Sequence, residues 1–214
     1  MGQAIVAGGA RASAPVVGIR LRDIAEGQLV KLLENGTAVE FYVAKHDYES
    51  QLNGTCRTLL VRKDCYDERA WNNSNVNAYA TSDIDTWLNG TYKAFLDSLT
   101  QELIGETSFY YTPGNGVYTV STLTRSVFLL SLAELDWVPS EFNAEGSSLP
   151  IASVLHTADR FWTRSPTNDS VYYVGYVGGS ANCSVEMGSR PCFTFPSGAC
   201  FDEETMMFNG KVAA

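Results

Sequence analysis

Long hydrophobic runs are missing from this sequence of 214 residues. No apolar segment is long enough to cross a bilayer as a helix. The N-terminus also lacks the order of basic, apolar and small residues that marks a secretory signal. Val6 stands where the N-myristoylation pattern requires Ser or Thr, which removes that lipid anchor. We therefore expect a protein that does not insert into a membrane.

Basic residues are also scarce, with 15 Lys and Arg against 24 Asp and Glu, for a net charge of −9. Residues 1–22 contain three arginines and no acid, so the remaining residues carry −9 − 3 = −12. Because binding to phosphates requires clustered Lys and Arg, we expect no nucleic-acid partner. Residues 1–22, rich in Ala and Gly, are interpreted either as a tail that docks on another protein or as a frayed terminus.

Recognisable catalytic motifs are absent as well. The sequence contains no Gly-x-x-x-x-Gly-Lys phosphate loop, no His-Glu-x-x-His helix, no Gly-x-Ser-x-Gly elbow and no dinucleotide-binding fingerprint. Only two histidines are present, His46 and His156, and neither has a nucleophile motif nearby. These absences predict a non-enzymatic protein without a cofactor or a bound metal.

The five cysteines include no Cys-x-x-Cys pair, so the close spacing of a zinc site is missing. Free thiols are favoured over disulfides. In an oxidising environment, Cys183 with Cys192 or Cys200 would be the first disulfide to test.

The N-terminal half predicts β-structure. Two apolar runs, residues 29–33 and 38–44, are joined by Asn35-Gly36, a strong signal for a β-hairpin because both residues tolerate positive φ. Residues 57–62 read as a further strand. Residues 71–77 are rich in asparagine and predict a loop.

A helical period begins at Ser82, which with Asp85 resembles a capping box. The pattern predicts a pair of core helices broken at Asn89-Gly90. Residues 126–132 predict a short buried strand, and residues 133–135 a turn or short helix. The apolar positions with helical spacing are Ile84, Trp87, Leu88, Phe95, Leu96, Leu99 and Leu103.

The last third returns to strands. Residues 170–177 alternate loosely, residues 182–186 can pair back across Gly178-Gly179, and Phe193 and Phe195 form an apolar i, i+2 pair. Strands that follow a helical middle indicate an α+β fold, with a single domain over residues 23–214.

The tract between Arg164 and Arg190 contains no basic residue and only two acids, Asp169 and Glu186. Tyrosine, asparagine, glycine and small residues fill it, a composition that binding surfaces favour because rigid aromatic area is displayed at little cost in entropy. The tract is either a recognition face or a core hairpin. The two flanking arginines are expected to stack on aromatic rings and bond backbone carbonyls.

Five motifs in a fixed order resemble a bacterial and phage family catalogued as a domain of unknown function. That family is frequent in tail-associated and other virion proteins of phages and prophages, and the resemblance covers about residues 28–210. The motifs are Asn75-x-Asn77-x-Tyr79, Ser82-x-Ile84-x-x-Trp87-Leu88-Asn89, Val127-Phe128-Leu129-Leu130-Ser131-x-x-Glu134, Phe161-Trp162-x-Arg164-Ser165-Pro166 and Arg190-Pro191-x-Phe193.

The last two motifs also look like the end of the C-type-lectin-like fold shared by formylglycine-generating enzymes and retroelement variable proteins. In the variable proteins, exposed positions between these motifs contact the ligand. The resemblance implies ligand contacts at Asn168, Asp169, Tyr172, Tyr173, Tyr176 and Asn182. It implies a structural framework of Trp87, Trp162, Arg164, Arg190 and Phe193.

These resemblances predict a virion component, in a phage tail or as a capsid decoration, that presents a surface to a host cell-surface glycan or protein. Residues 1–22 would dock on other phage structural proteins, and a homo-oligomer, most simply a trimer, is expected by analogy. Two alternatives stay open: a purely structural decoration protein, and an enzyme of the formylglycine-generating or wall-degrading type. Cys183, Cys192 and Cys200, near one end of the chain, are the best support for the enzyme.

Overall fold

A computed structural model describes residues 18–137 and 145–213. Strands outnumber helices in these ranges and are arranged in four sheets. The fold is therefore α+β and mostly β, which agrees with the predicted α+β class. The strands are β1 (Ile19–Arg20), β2 (Leu29–Glu34), β3 (Thr37–Lys45), β4 (Arg57–Arg62), β5 (Glu68–Ala70), β6 (Thr107–Tyr111), β7 (Ser121–Arg125), β8 (Phe161–Pro166), β9 (Val171–Val174), β10 (Gly179–Ala181), β11 (Glu186–Gly188), β12 (Cys192–Pro196), β13 (Ala199–Phe201) and β14 (Phe208–Val212).

The four-stranded sheet has the order β12-β4-β3-β2, and all its neighbours are antiparallel. The predicted hairpin at Asn35-Gly36 is confirmed: β2 pairs with β3, and the two turn residues have φ of 50° and 75°. The predicted strand at residues 57–62 is β4. Phe193 and Phe195 are both fully buried on β12, and Phe193 packs 5.3 Å from the ring of Phe41.

The five-stranded sheet has the order β10-β9-β8-β11-β5. Its central strand β8 is buried along its whole length. The predicted pairing of residues 182–186 is wrong, because β10 is the strand that pairs back onto β9. Asn182 instead starts a turn, closed by a 3.0 Å bond from the Val185 N–H to its carbonyl. Glu186 then begins β11, which pairs with β5 and β8.

The helices are short. The Ser82 cap is present, because the Asp85 N–H donates to Ser82 Oγ over 3.2 Å. The predicted break at Asn89-Gly90 is wrong, since the chain passes through it as a π-helical turn (Leu88–Tyr92) and stops being helical at Leu96. The α-helices are α1 (Ser50–Asn53), α2 (Asp83–Trp87), α3 (Lys93–Phe95), α4 (Ser98–Leu103) and α5 (Ala152–Leu155).

Asn89 explains why the helix continues. Its side-chain amide donates to the Asp85 and Val127 carbonyls at 3.0 and 2.9 Å. Its side-chain oxygen accepts the N–H groups of Ser126 and Val127, both at 3.1 Å. The side chain thus attaches the helix to the chain that follows β7, and π-helical turns commonly accommodate such a local demand.

The predicted strand at residues 126–132 is also wrong. Residues 127–132 are buried as expected, but only Phe128 pairs with a strand, through a single bridge to Cys192. Several of the other backbone groups here form hydrogen bonds with side chains. The Leu129 N–H donates to Tyr79 Oη, and the Leu132 N–H donates to Ser165 Oγ. Residues 132–136 form the expected turn.

The end of the predicted tail belongs to the fold. Ile19 and Arg20 form β1 and pair with Phe201 and Cys200 of β13, and Leu21 is fully buried. Residues 1–17 of the predicted docking segment lie outside the described residues. Among the described residues, no helix has the length and apolar character needed to cross a membrane.

Candidate functional site

Residues 167–170, between β8 and β9, form a compact polar turn. The Thr167 N–H donates to the Ser170 carbonyl over 2.8 Å, and the two hydroxyls lie 2.6 Å apart. The N–H groups of Asp169 and Ser170 both donate to Thr167 Oγ1. Threonine and serine therefore supply the internal bonds of the turn. Asn168 and Asp169, between them, face solvent.

Asn77 fixes this turn to a second loop. Its buried side-chain amide donates to the carbonyls of Thr167 and Ser170 at 2.7 and 3.2 Å. Its side-chain oxygen accepts the Asn115 N–H at 2.7 Å, from the loop between β6 and β7. A side chain at Gly114 would collide with the Asn77 backbone, so only glycine permits this approach. One asparagine therefore positions both loops.

The two loops border a pocket of about 520 Å³. Tyr118 contributes from the second loop, and its hydroxyl donates to the Asn168 carbonyl over 3.2 Å. Asp169 brings the only formal charge to the lining, and neither its carboxylate nor the Asn168 amide has a hydrogen-bond partner in the described part of the chain. The volume suits a small ligand. We call this cavity the hairpin pocket; it is lined by Tyr118, Thr167, Asn168, Asp169, Ser170, Tyr172 and Ser180.

Three of the six predicted ligand residues, Asn168, Asp169 and Tyr172, come together in the hairpin pocket. Tyr173 does not, because neighbouring residues on a strand point to opposite faces. Tyr172 stands opposite Ser180, which also lines the pocket, whereas Tyr173 pairs with Gly179 and has the Arg160 guanidinium 5.4 Å from its ring centre.

Tyr176 and Asn182 also lie outside the pocket. Tyr176 follows the end of β9 and is 72% exposed. The Asn182 side chain is exposed but is occupied by its own turn, since its oxygen accepts the Ser184 N–H and hydroxyl. Both remain on the surface, apart from the cluster formed by the other three residues.

The residues expected to form a framework lie mostly in the core. Trp162 is buried, with its indole N–H donating to the Arg69 carbonyl, and Trp87 is half-buried beneath the Arg69 guanidinium. Arg190 donates to the carbonyls of Arg62, Lys63 and Leu155. Its guanidinium also lies 5.0 Å from the ring centre of Phe161. The carbonyl bonds expected of Arg190 are therefore present.

Arg164 is fully buried and belongs to a charged cluster. It donates to Glu134 Oε2 over 2.6 Å and to the carbonyls of Tyr110, Leu129 and Glu145. Burial lowers the pKa of Arg164, but Glu134, Tyr48 and Glu145 together outweigh this effect, so the pKa of Arg164 is raised. We call this group the Arg164 cluster; it comprises Arg164, Glu134, Glu145, Tyr48 and Ser165.

The two carboxylates of the Arg164 cluster use both oxygens. Glu134 accepts from Arg164, from the Tyr48 hydroxyl and from the Ser131 N–H. Glu145 accepts the Thr112 N–H at 2.6 Å and the Ser165 hydroxyl. Burial raises the pKa of Glu145, and Arg164 opposes that rise. Each oxygen of the two carboxylates therefore accepts at least one hydrogen bond.

All five cysteines are free thiols. Cys183, Cys192 and Cys200 are buried. Burial raises the pKa of Cys183 and that of Cys192, which disfavours the reactive thiolate at neutral pH. Within the described ranges, no three His, Cys, Asp or Glu side chains converge as metal ligands would.

Sequence reasoning missed Tyr118 and Asn77 as parts of the site. Tyr118 ends the glycine-rich stretch Gly114-Asn115-Gly116-Val117-Tyr118, which gives a loop signal but no sign of the distant turn that it meets. Asn77 belongs to one of the five motifs, and membership of that motif is the feature of the sequence that could have pointed to it.

Comparison with family models gives one match, described as Domain of unknown function (DUF6273), over residues 55–197. Neither the curated proteins nor the solved structures contain a match to the chain. The matched range includes Asn77, Tyr118, the turn at residues 167–170 and all of β8 to β12. It covers well over half of the 214 residues, so the chain belongs to the DUF6273 family.

Proposed function

We propose that this chain is a non-enzymatic, virion-associated binding module with a C-type-lectin-like domain, and that the hairpin pocket is where it meets its ligand. The observation that carries the proposal is that Asn168, Asp169 and Tyr172 share one pocket. The Asn168 and Asp169 side chains have no hydrogen-bonding task in the described structure. Polar groups that are left available in a concave site are the usual means of fixing a ligand's orientation.

The ligand class follows from the lining. Hydroxyl groups, an amide and a carboxylate are combined with two tyrosines, and none of the described residues that line the pocket is basic. Such a lining suits a glycan or a polar protein segment of the host surface, whereas an anionic polymer would be repelled by Asp169 and by the overall charge of −9.

In this proposal the N-terminal residues dock on other phage structural proteins, and the module acts as a homo-oligomer, most simply a trimer. The order of the five motifs supports the virion assignment by resemblance. The raised thiol pKa values support a binding role over the enzyme alternative, since thiol chemistry requires an accessible thiolate.

The test is a binding assay with the purified full-length chain, using whole Gram-positive cells and isolated cell-wall glycans. The double variant Asp169→Ala/Tyr172→Ala should lose binding. Glu203→Ala, in an exposed acidic turn outside the pocket, is the matched control and should bind normally. If the wild-type chain binds neither target but still assembles into phage particles, the adhesive role is wrong and a purely structural decoration role replaces it.

A further inference from the structure

A second cavity, of about 350 Å³, lies beside α1 and shares no lining residue with the hairpin pocket. Its lining combines both signs of charge with neutral polar groups and a tyrosine. We call it the Glu49 cleft; it is lined by Lys45, Asp47, Glu49, Ser50, Gln51, Tyr110, Gly146 and Ser147.

One carboxylate oxygen in this cleft has no partner. Glu49 Oε1 is buried, and the Glu49 side chain as a whole is only 11% exposed. Within the described structure this oxygen makes no hydrogen bond. The nearest cation, Lys45 Nζ, lies 3.9 Å away, which is too far for a hydrogen bond. Lys45 donates instead to Ser147 Oγ at 3.1 Å. Buried acceptors without partners are rare in native proteins and call for an explanation.

The backbone around Glu49 is strained. Asp47 and Glu49 have φ of 48° and 45°, in the left-handed region that side chains disfavour. The Cys56 N–H donates a hydrogen bond to Asp47 Oδ1 over 2.8 Å, which holds Asp47 in this conformation. Across the cleft, Gly146 has a φ of 101°, a conformation that favours glycine, and a Cβ at this position would lie 3.4 Å from Glu49 Oε1, in ordinary van der Waals contact. Strain of this kind tends to be retained where it serves function.

The charges around the unpaired oxygen restrict what can occupy the space. Burial raises the pKa of Glu49; Lys45 and Arg164 oppose that rise, and Glu134 adds to it. A group placed between Lys45 and Glu49 must accept from the ammonium and donate to the carboxylate. A hydroxyl does both. An ammonium cannot accept a hydrogen bond and would be repelled by Lys45. A carboxylate cannot donate one, and both carboxylate and phosphate anions would be repelled by Glu49.

We propose that the Glu49 cleft is a binding subsite for one neutral sugar residue, with a sugar hydroxyl bridging Lys45 Nζ and Glu49 Oε1. Tyr110 supplies an aromatic side chain against which the sugar ring packs, and Ser50 and Gln51 supply further polar contacts. The volume falls within the range of small-ligand pockets. This site is separate from the hairpin pocket and does not depend on the function proposed for it.

Ligand-observed NMR with the full-length chain tests the site directly. The probes are the methyl glycosides of glucose, galactose and N-acetylglucosamine, with choline and acetate as charged comparators. At least one glycoside should bind. Glu49→Gln should weaken that binding by about tenfold or more, because it removes a charge-assisted hydrogen bond. Glu49→Ala should abolish binding at the cleft, and Glu203→Ala, an exposed residue outside both cavities, should leave it unchanged. Asp169→Ala is measured alongside as the variant that reports binding in the hairpin pocket.

Thermal unfolding provides a readout that separates a binding role from a structural one. If Glu49 is held unpaired for a ligand, Glu49→Gln removes a poorly compensated buried charge and should raise the Tm of the free protein by a few degrees. If Lys45 and Glu49 are simply a structural ion pair, the same change lowers Tm.

Any of the following results would overturn the proposal: no glycoside binds to the wild-type chain, a charged comparator binds in place of the glycosides, or Glu49→Gln lowers Tm. Glycoside binding that Asp169→Ala abolishes, and Glu49→Ala does not, would also overturn it. That last result would transfer the sugar site to the hairpin pocket and favour the function proposed there, so the two proposals fail in different ways.

Discussion

The Arg164 cluster and the hairpin pocket are both built largely from polar side chains, and β8 with the turn that follows it contributes residues to both. In the cluster, Arg164 and the two carboxylates are buried and each makes several hydrogen bonds. In the pocket, Asn168 and Asp169 are exposed, and their side chains have no hydrogen-bond partner in the described residues. The two groups lie only a few residues apart in sequence, at Arg164 and Asn168.

The difference separates polar residues that maintain the fold from those available for binding. Leaving a fully buried charge unpaired is strongly destabilising, so such a charge usually has a partner. An exposed polar group keeps its hydrogen bonds to water, so it needs no protein partner and remains available to a ligand. Asn77 combines features of both groups. Its side chain is buried and hydrogen-bonded like those of the Arg164 cluster, but its hydrogen bonds hold the two loops of the hairpin pocket. Four substitutions test this comparison.

Arg164→Met should have the largest effect. It leaves the Glu134 and Glu145 carboxylates buried without their cation, and it removes the donors to three backbone carbonyls. We expect a loss of about 3–5 kcal/mol in the free energy of unfolding. Denaturant unfolding followed by circular dichroism measures it, with Lys211→Met at an exposed position as the control. A loss below about 1 kcal/mol, the typical value of a surface ion pair, would mean that the cluster does not hold the core.

Asn77→Ala should have an intermediate effect. The substitution removes the hydrogen-bond partner of two part-buried backbone groups, the Thr167 carbonyl and the Asn115 N–H, which should cost about 1–3 kcal/mol. Amide hydrogen exchange should speed up in residues 114–118 and 167–170 together. Asn75→Ala, an exposed neighbour, is the matched control and should change neither quantity. Faster exchange in only one of the two loops would contradict the role of Asn77 as their common anchor.

Glu145→Gln should affect the pH dependence of stability. Burial raises the pKa of Glu145 above its value in the unfolded chain, so the folded state holds the proton more tightly. The contribution of Glu145 is therefore greatest below the unfolded pKa and falls as pH rises through the folded pKa. Urea unfolding at several pH values should show the wild-type stability, relative to the variant, decreasing toward neutral pH. An increase would mean that pairing with Arg164 outweighs burial.

Asp169→Ala should have the smallest effect on stability, within about 0.5 kcal/mol, because an exposed side chain without partners contributes little to the fold. The same thermal or denaturant measurements check this value. A destabilisation beyond about 1 kcal/mol would show that the turn is part of the structural core and would remove the contrast with the Arg164 cluster.

Local chemistry was enough to predict some elements. Asn35-Gly36 specifies its hairpin because both residues accept positive φ, and the apolar alternation on both sides sets the strands. The Ser82 cap is equally local, since the bond is made to a residue three positions away. Asp85 does not complete the capping box, because its carboxylate pairs with Arg125 at 2.8 Å. The ion pair with Arg125 therefore takes the place of the hydrogen bond that Asp85 would make to the Ser82 N–H in a complete capping box.

Two of the wrong predictions share one cause. The apolar run at residues 127–132 predicted a strand because the pattern reports burial, but its backbone bonds go largely to side chains of distant residues. Asn89-Gly90 predicted a break because neither residue favours a helix, but Asn89 bonds to residues 126 and 127 and the helix continues. In each case the partner lies more than thirty residues away and leaves no local signal.

By itself, the sequence determined the α+β class, the hairpin and strands of the four-stranded sheet, and the polar, tyrosine-rich character of the tract after Arg164. These follow from period, turn chemistry and composition, which are local properties. Only the tertiary structure decided which residues of that tract meet in a pocket, that Asn77 and Tyr118 join them, and that Arg164 lies among buried carboxylates. Those outcomes depend on contacts between residues that lie 19 to 90 positions apart, where the pairing of strands and loops, and not the local pattern, sets the neighbours.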